Sequence, residues 1–270
     1  MGLVLAFVGI AWAAQYIPGG FDWYGTWRPA FDLMLSGQNP YGAVPRLATP
    51  PWVMILLLPL AALPTELGRG ALFAASLFGF TLAAVRFQAK PAALGGFLLS
   101  PLIFHSLLNG NTDWLVLIGA TLPPSVGMIL VMSKPQVGLG LAVFWIVAAY
   151  REGGAREMAR IATPVVVLTL ASFLIFGIWP TRAAAVLDHS ADINASLWPW
   201  TIPLGAGLLI YGLYKRQPNA ALAASPFLSP YVLFHAYCGA QAALLRRPAR
   251  VWVVTVALWA LVITRGLQGA

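Results

Sequence analysis

The chain has 270 residues, 60% of them hydrophobic and only 9% charged, with a mean hydropathy of +0.79 and a net charge of +8. A soluble globular domain carries about 25% charged residues, so this composition excludes an ordinary water-soluble fold and points to a polytopic membrane protein. Nucleic acid is excluded as the partner of the positive charge. The cations are scattered in short turns between apolar segments, at Arg86 and Lys90, 151–160, Lys215 and Arg216, and Arg246 to Arg250, which is a membrane-anchoring pattern rather than a basic groove.

The expected fold class is all-α. Apolar segments fall at 2–17, 52–64, 70–86, 92–108, 114–132, 135–150, 161–179, 201–214, 219–228, 231–245 and 251–265. Several are shorter than the roughly 20 residues of a full span, so the expectation is a transmembrane helical bundle of about 8–11 segments, one transmembrane domain over residues 1–270. The first run, Leu3 to Ala14, ends in small residues but lacks a basic flank, and is read as a retained span rather than a signal peptide. The sole cysteine, Cys238, allows no intrachain disulfide.

The loop at 18–51 holds two of the eight carboxylates, Asp22 and Asp32, together with Arg28 and Arg46. Charge next to hydrocarbon is costly and calls for a reason. Within it, apolar residues at 27, 30, 31, 34 and 35 predict a short interfacial helix, ended by Gly37 and followed by the turn Asn39-Pro-Tyr-Gly42. A second loop, 180–198, is expected to carry another interfacial helix over 183–197. Placing the basic turns 151–160, 215–216 and 246–250 in the cytoplasm, and counting eleven alternating segments, puts both loops on the outer face. The same count leaves Arg86 and Lys90 outside, against the charge rule, and Asn109 to Asp113 inside.

Further polar steps interrupt the apolar runs. They are Ala48-Thr-Pro-Pro-Trp52, Asn109-Gly-Asn-Thr-Asp113, Ser133-Lys-Pro-Gln136, and Ser229-Pro with His235 six residues after Ser229. Each has a plain reading. Asp22 and Asp113 suit helix N-caps, Asp32 a solvated helix face, Lys134 a snorkelling side chain, and His105 and His235 core positions. The tryptophans at 12, 52, 145, 179, 198, 200, 252 and 259 suit an interface belt. His189 between Asp188 and Asp192 has ligand-type neighbours but reads as a solvated loop. No DxD or His/Asp cluster calls for a metal.

The order of these steps resembles the GT-C integral-membrane glycosyltransferases, specifically glycosyltransferase family 87. The resemblance rests on an acid after the first span in a loop ending Gly37-Gln-Asn-Pro-Tyr41, then Thr49-Pro-Pro51, Leu63-Pro64, Asn109-Gly-Asn-Thr, Lys134-Pro-Gln136, and Ser229-Pro230 with His235. It implies a GT-C-like fold and a transferase that moves a mannose-like hexose from a polyprenyl-phosphate donor to a lipid or glycan acceptor. The expected place is the outer face of a bacterial inner membrane. It implies Asp22 as general base. Lys134, Gln136, Arg28 and Arg46 would serve the donor phosphate, and His235, Tyr24, Trp27, Asn109, Asn111 and Tyr41 the sugar or acceptor. A lipid phosphate leaves without a general acid, so one carboxylate suffices, and no metal or cofactor is implied.

The sequence departs from the family pattern in three ways. It is much shorter than is usual, Thr49 stands where a tyrosine is expected, and no tryptophan lies between Ser229 and His235. These departures motivate an alternative, a non-catalytic membrane subunit or lipid-binding scaffold on the same fold, with a protein partner. A transporter would require His105, Lys134 and His235 to line a path, and no inverted repeat is visible.

Overall fold

The computed structural model describes residues 1–188 and 193–268, and every regular element among them is helical. Among the described residues, three helical runs are long and apolar enough to cross a membrane: Thr65–Arg86, Pro135–Phe176 and Pro248–Arg265. A fourth candidate is the pair Pro91–Leu98 and Pro101–Asn109, bent by 55°. The all-α expectation holds, while the reading of most apolar segments as spans is corrected. Segment 114–132 breaks into Asp113–Gly119 and Pro124–Val131. Segment 231–245 breaks into a 3-10 turn, Phe234–Tyr237, and the short helix Cys238–Ala242.

Proline and glycine are the cause. Seven described helices begin on a proline, at 51, 91, 101, 124, 135, 218 and 248, where the missing N–H costs nothing because the first turn leaves its donors unpaired anyway. The run Pro135–Phe176 is itself two helices. Gly154, at φ 63° and ψ −156°, sits in a region essentially closed to side chains. The break falls inside the basic turn 151–160, so the two segments expected on either side of it are both present.

The chain divides into two compact units, the first comprising Met1–Phe78, Leu107–Thr112 and Val165–Ile193. Its helix Gly2–Ala14 packs on the start of Thr65–Arg86 through a core of Ala11, Ala71 and Ala74, edged by Phe7, Ile10, Leu60 and Leu63. Small side chains allow this close crossing: a Cβ on Gly70 would lie 2.0 Å from the carbonyl oxygen of Ala11. Buried Arg69 closes the helix end by donating Nη2 to Ala14 O and Gln15 O, at 2.9 and 2.6 Å, two of the carbonyls a helix leaves orphaned.

The first loop and the start of the second, Trp179–Asp188, belong to this unit and pack on each other. Asn39 Nδ2 donates to Phe176 O at 3.0 Å, Arg182 donates to Tyr41 O, and the Tyr41 ring lies against Phe176 and Trp179. The predicted helix forms as Arg28–Leu35, preceded by a π-helical turn, Trp23–Trp27, and Gly37 follows it at φ 74°. The second loop helix runs Trp179–Asp188 rather than 183–197, and His189 and Asp192 lie outside the described residues. Segment 107–112 also packs on the first loop, with Gly20 N donating to Leu108 O at 2.6 Å. The eleven-segment alternation placed these two segments on opposite faces, whereas here they are in contact.

The second unit comprises Gly79–Ser106, Asp113–Pro164 and Asn194–Ala270. Ile202–Lys215 and Pro218–Leu228 form a hairpin that closes through Gly205 and Gly212. Pro218–Leu228 also meets the helix starting at Pro135, where Gly140 N donates to Ser225 Oγ at 3.0 Å. Pro248–Gln268 is tied to the bent pair by Trp252 Nε1 to Ala92 O and Trp259 Nε1 to Leu99 O, at 2.9 and 2.8 Å. The belt expectation is corrected for Trp145 and Trp179, which are buried.

Gly70→Val is expected to destabilise the protein by about 1–3 kcal/mol through overpacking against the Ala11 backbone. Thermal unfolding in detergent, compared with Gly9→Val at a position open to its surroundings, checks this.

Candidate functional site

In the first unit, half-buried Asp22 stands at the start of the π-helical turn and makes no side-chain capping hydrogen bond to it. The plain N-cap reading of this acid is thus set aside, and π-turns in helices concentrate at functional sites. Arg46, an exposed residue of the same loop, lies over the ring of Phe21 with its guanidinium carbon 4.5 Å from the centroid, a cation–π seat beside the acid's own segment. Tyr24 donates its hydroxyl to Glu66 Oε2 at 2.5 Å. Partial burial first, and the Glu66 bond second, hold this phenol above its ordinary value.

Several residues assigned to ligands are instead parts of the frame. Arg28 pairs with Asp32 at 3.1 Å and donates Nη1 to Ala61 O and Leu63 O, pinning the interfacial helix to the turn before Thr65. Trp27 is buried and donates Nε1 to Gly110 O at 2.9 Å. Tyr41 is buried, with its hydroxyl on Thr49 O at 2.5 Å. The polar atoms of Trp27 and Tyr41 are thus taken by backbone carbonyls of the frame. Asn109 is half-buried and Asn111 buried, both on the segment that packs against the loop.

The second unit holds a charged cluster built from four separate segments. Asp113 is fully buried at the first position of helix Asp113–Gly119. Its Oδ1 accepts from Lys134 Nζ at 2.9 Å, and its Oδ2 accepts from Ser106 Oγ at 3.1 Å. His235, in the turn Phe234–Tyr237 and 0% exposed, brings Nδ1 to 2.5 Å from Oδ2. His235 Nε2 is buried without a hydrogen-bond partner. The His105 ring stacks on His235 with centroids 5.4 Å apart. Gln136 is half-exposed on the first turn of the helix that follows Lys134.

This arrangement revises the reading of Lys134. It is no snorkelling lysine: its side chain is 13% exposed and held by an acid 21 residues upstream. Asp113 is the functional candidate that residue-by-residue reading missed. The available signal was joint: an apolar chain with one acid and one lysine at the mouths of neighbouring apolar runs has reason to pair them. Among the described residues, no group of three or more His, Cys, Asp and Glu side chains could hold a metal ion.

Breaking a buried pair from one side leaves an uncompensated charge and costs about 3–5 kcal/mol, whereas removing both charges is close to neutral. Lys134→Met is accordingly expected to destabilise strongly, and adding Asp113→Asn to recover most of the loss. A double-mutant cycle by chemical unfolding measures the coupling.

No family model, curated protein or solved structure matches this chain.

Proposed function

We propose that this chain is a membrane glycosyltransferase, moving a mannose-like hexose from a polyprenyl-phosphate donor to a lipid or glycan acceptor at the outer membrane face. The observation that carries the reading is the cluster of Asp113, Lys134 and His235: Lys134 and His235, from two of the motifs behind the family 87 resemblance, meet on Asp113, the residue directly after a third, inside a chain with only eight carboxylates. Ionisable groups withdrawn into an apolar protein are costly, and function is the usual reason for keeping them. The packing of segment 107–112 on the Asp22 loop adds support from a further motif.

In this reading Asp22 takes the proton from the acceptor hydroxyl as its oxygen attacks the anomeric carbon. The bond to the donor phosphate breaks, and its electron pair leaves with the phosphate. Developing charge on that phosphate is met by a cation, for which Lys134, held by Asp113, is the candidate. His235 offers its unpartnered Nε2 to a hydroxyl or a phosphate oxygen. Arg28, Trp27 and Tyr41 take structural rather than ligand roles.

A second reading, ion or proton passage, is favoured by one observation, the grouping of His105 with Lys134 and His235. Ion flux in liposomes tests it.

General-base catalysis contributes about 10²–10⁴-fold, so Asp22→Asn is expected to lower transfer by that factor with folding unchanged. The assay uses purified protein in lipid with radiolabelled polyprenyl-phosphate mannose and a membrane lipid extract as acceptor. An Asp22→Asn protein as fast as the wild type removes Asp22 as the base.

A further inference from the structure

The Asp113 carboxylate has a distribution of partners that a helix cap does not need. Its two oxygens are divided: Oδ1 takes Lys134, and Oδ2 takes Ser106 and faces His235. Lys134 precedes the helix beginning at Pro135, His235 sits in a 3-10 turn, and Ser106 belongs to the bent pair. No two of these four residues share a helix or turn, so nothing local fixes their mutual distances. Two basic side chains in one dry place repel each other when both are charged. A single carboxylate, itself immobilised by a serine hydroxyl, is the group that allows them to share it.

We propose that Asp113 is the positioning residue of this site, setting the place and orientation of Lys134 and His235 for the polar head of the ligand. The inference rests on the glycosyltransferase reading, in which that head is the phosphate of the polyprenyl donor and the hydroxyl it reacts with. Asp113 touches neither, because both of its carboxylate oxygens are already engaged by protein groups. Its contribution is preorganisation: Lys134 is already in place when charge develops on the leaving phosphate, and His235 presents Nε2, its buried and unsatisfied nitrogen, at a fixed point. A ligand oxygen at that nitrogen would satisfy a polar atom that folding leaves without a hydrogen-bond partner. Ser106 is the support of the support, since it fixes the Oδ2 side of the carboxylate.

The test uses the full chain in lipid, as wild type, Asp113→Asn, Asp113→Glu and Ser106→Ala. Transfer from radiolabelled polyprenyl-phosphate mannose is resolved into kcat and donor KM. Binding of polyprenyl monophosphate is followed by tryptophan fluorescence, and thermal unfolding is recorded for each protein. Asp113→Asn is expected to lower kcat on the order of 100-fold, the scale of a lost preorganised electrostatic contact. Asp113→Glu should regain the unfolding temperature but not the full kcat, because the charge is kept and its position moved. Ser106→Ala should lower kcat severalfold with donor KM unchanged. If Asp113→Asn does not fold, Asp113→Glu and Ser106→Ala carry the test. A folded Asp113→Asn with wild-type kcat, or full activity in both Asp113→Glu and Ser106→Ala, overturns the positioning role while leaving the transferase reading intact. A wild-type protein that neither binds polyprenyl monophosphate nor transfers the sugar overturns the transferase reading, and the positioning role with it.

Discussion

A carboxylate removed from water must bring its counter-charges and hydrogen-bond donors with it, since an isolated buried ion costs far more than a fold can return. Asp113 meets that requirement with Lys134, Ser106 and His235. To deliver those groups, the chain must carry the bent pair ending near Ser106, the break before Pro135 and the turn around His235 to one point. In the second unit the irregularities of the backbone are thus tied to one electrostatic demand.

The same logic, applied to the backbone, explains the first unit. Interrupted helices free carbonyl groups that an apolar surrounding cannot solvate. Side-chain donors take them up: Arg69 at the end of the first helix, Arg28 at Ala61 and Leu63, Trp27 at Gly110, Arg182 at Tyr41. These are polar and amphipathic residues of the kind that draws a functional reading in a hydrophobic chain. Their use as caps and ties accounts for their presence without any ligand. Asp22 forms no side-chain cap at the turn it opens, and Arg46 stays exposed over an aromatic face.

Small residues make the helix crossings possible. Gly70 against Ala11 and Gly140 against Ala221 bring backbones so close that a single added carbon would lie 2.0 and 2.1 Å from a carbonyl oxygen. Helices in an apolar medium gain little from hydrophobic burial against each other, and close backbone packing supplies the attraction instead.

The sequence by itself determined the helical class, the apolar character, the helix after Trp27 with its stop near Gly37, and the break inside the basic turn at 151–160. These follow from composition, from 3.6-residue periodicity and from glycine, all of which act over a few residues. It also marked Lys134 and His235 as residues needing a reason. It did not determine how many segments are long helices, because a proline that starts a helix and one that breaks an apolar run look alike until the neighbouring packing is known. Nor did it show that Trp27, Tyr41 and Arg28 are framework, or that Asp113 anchors the charged cluster. Those facts depend on which carbonyl or counter-ion a side chain meets across long stretches of sequence, and only the tertiary structure decides that.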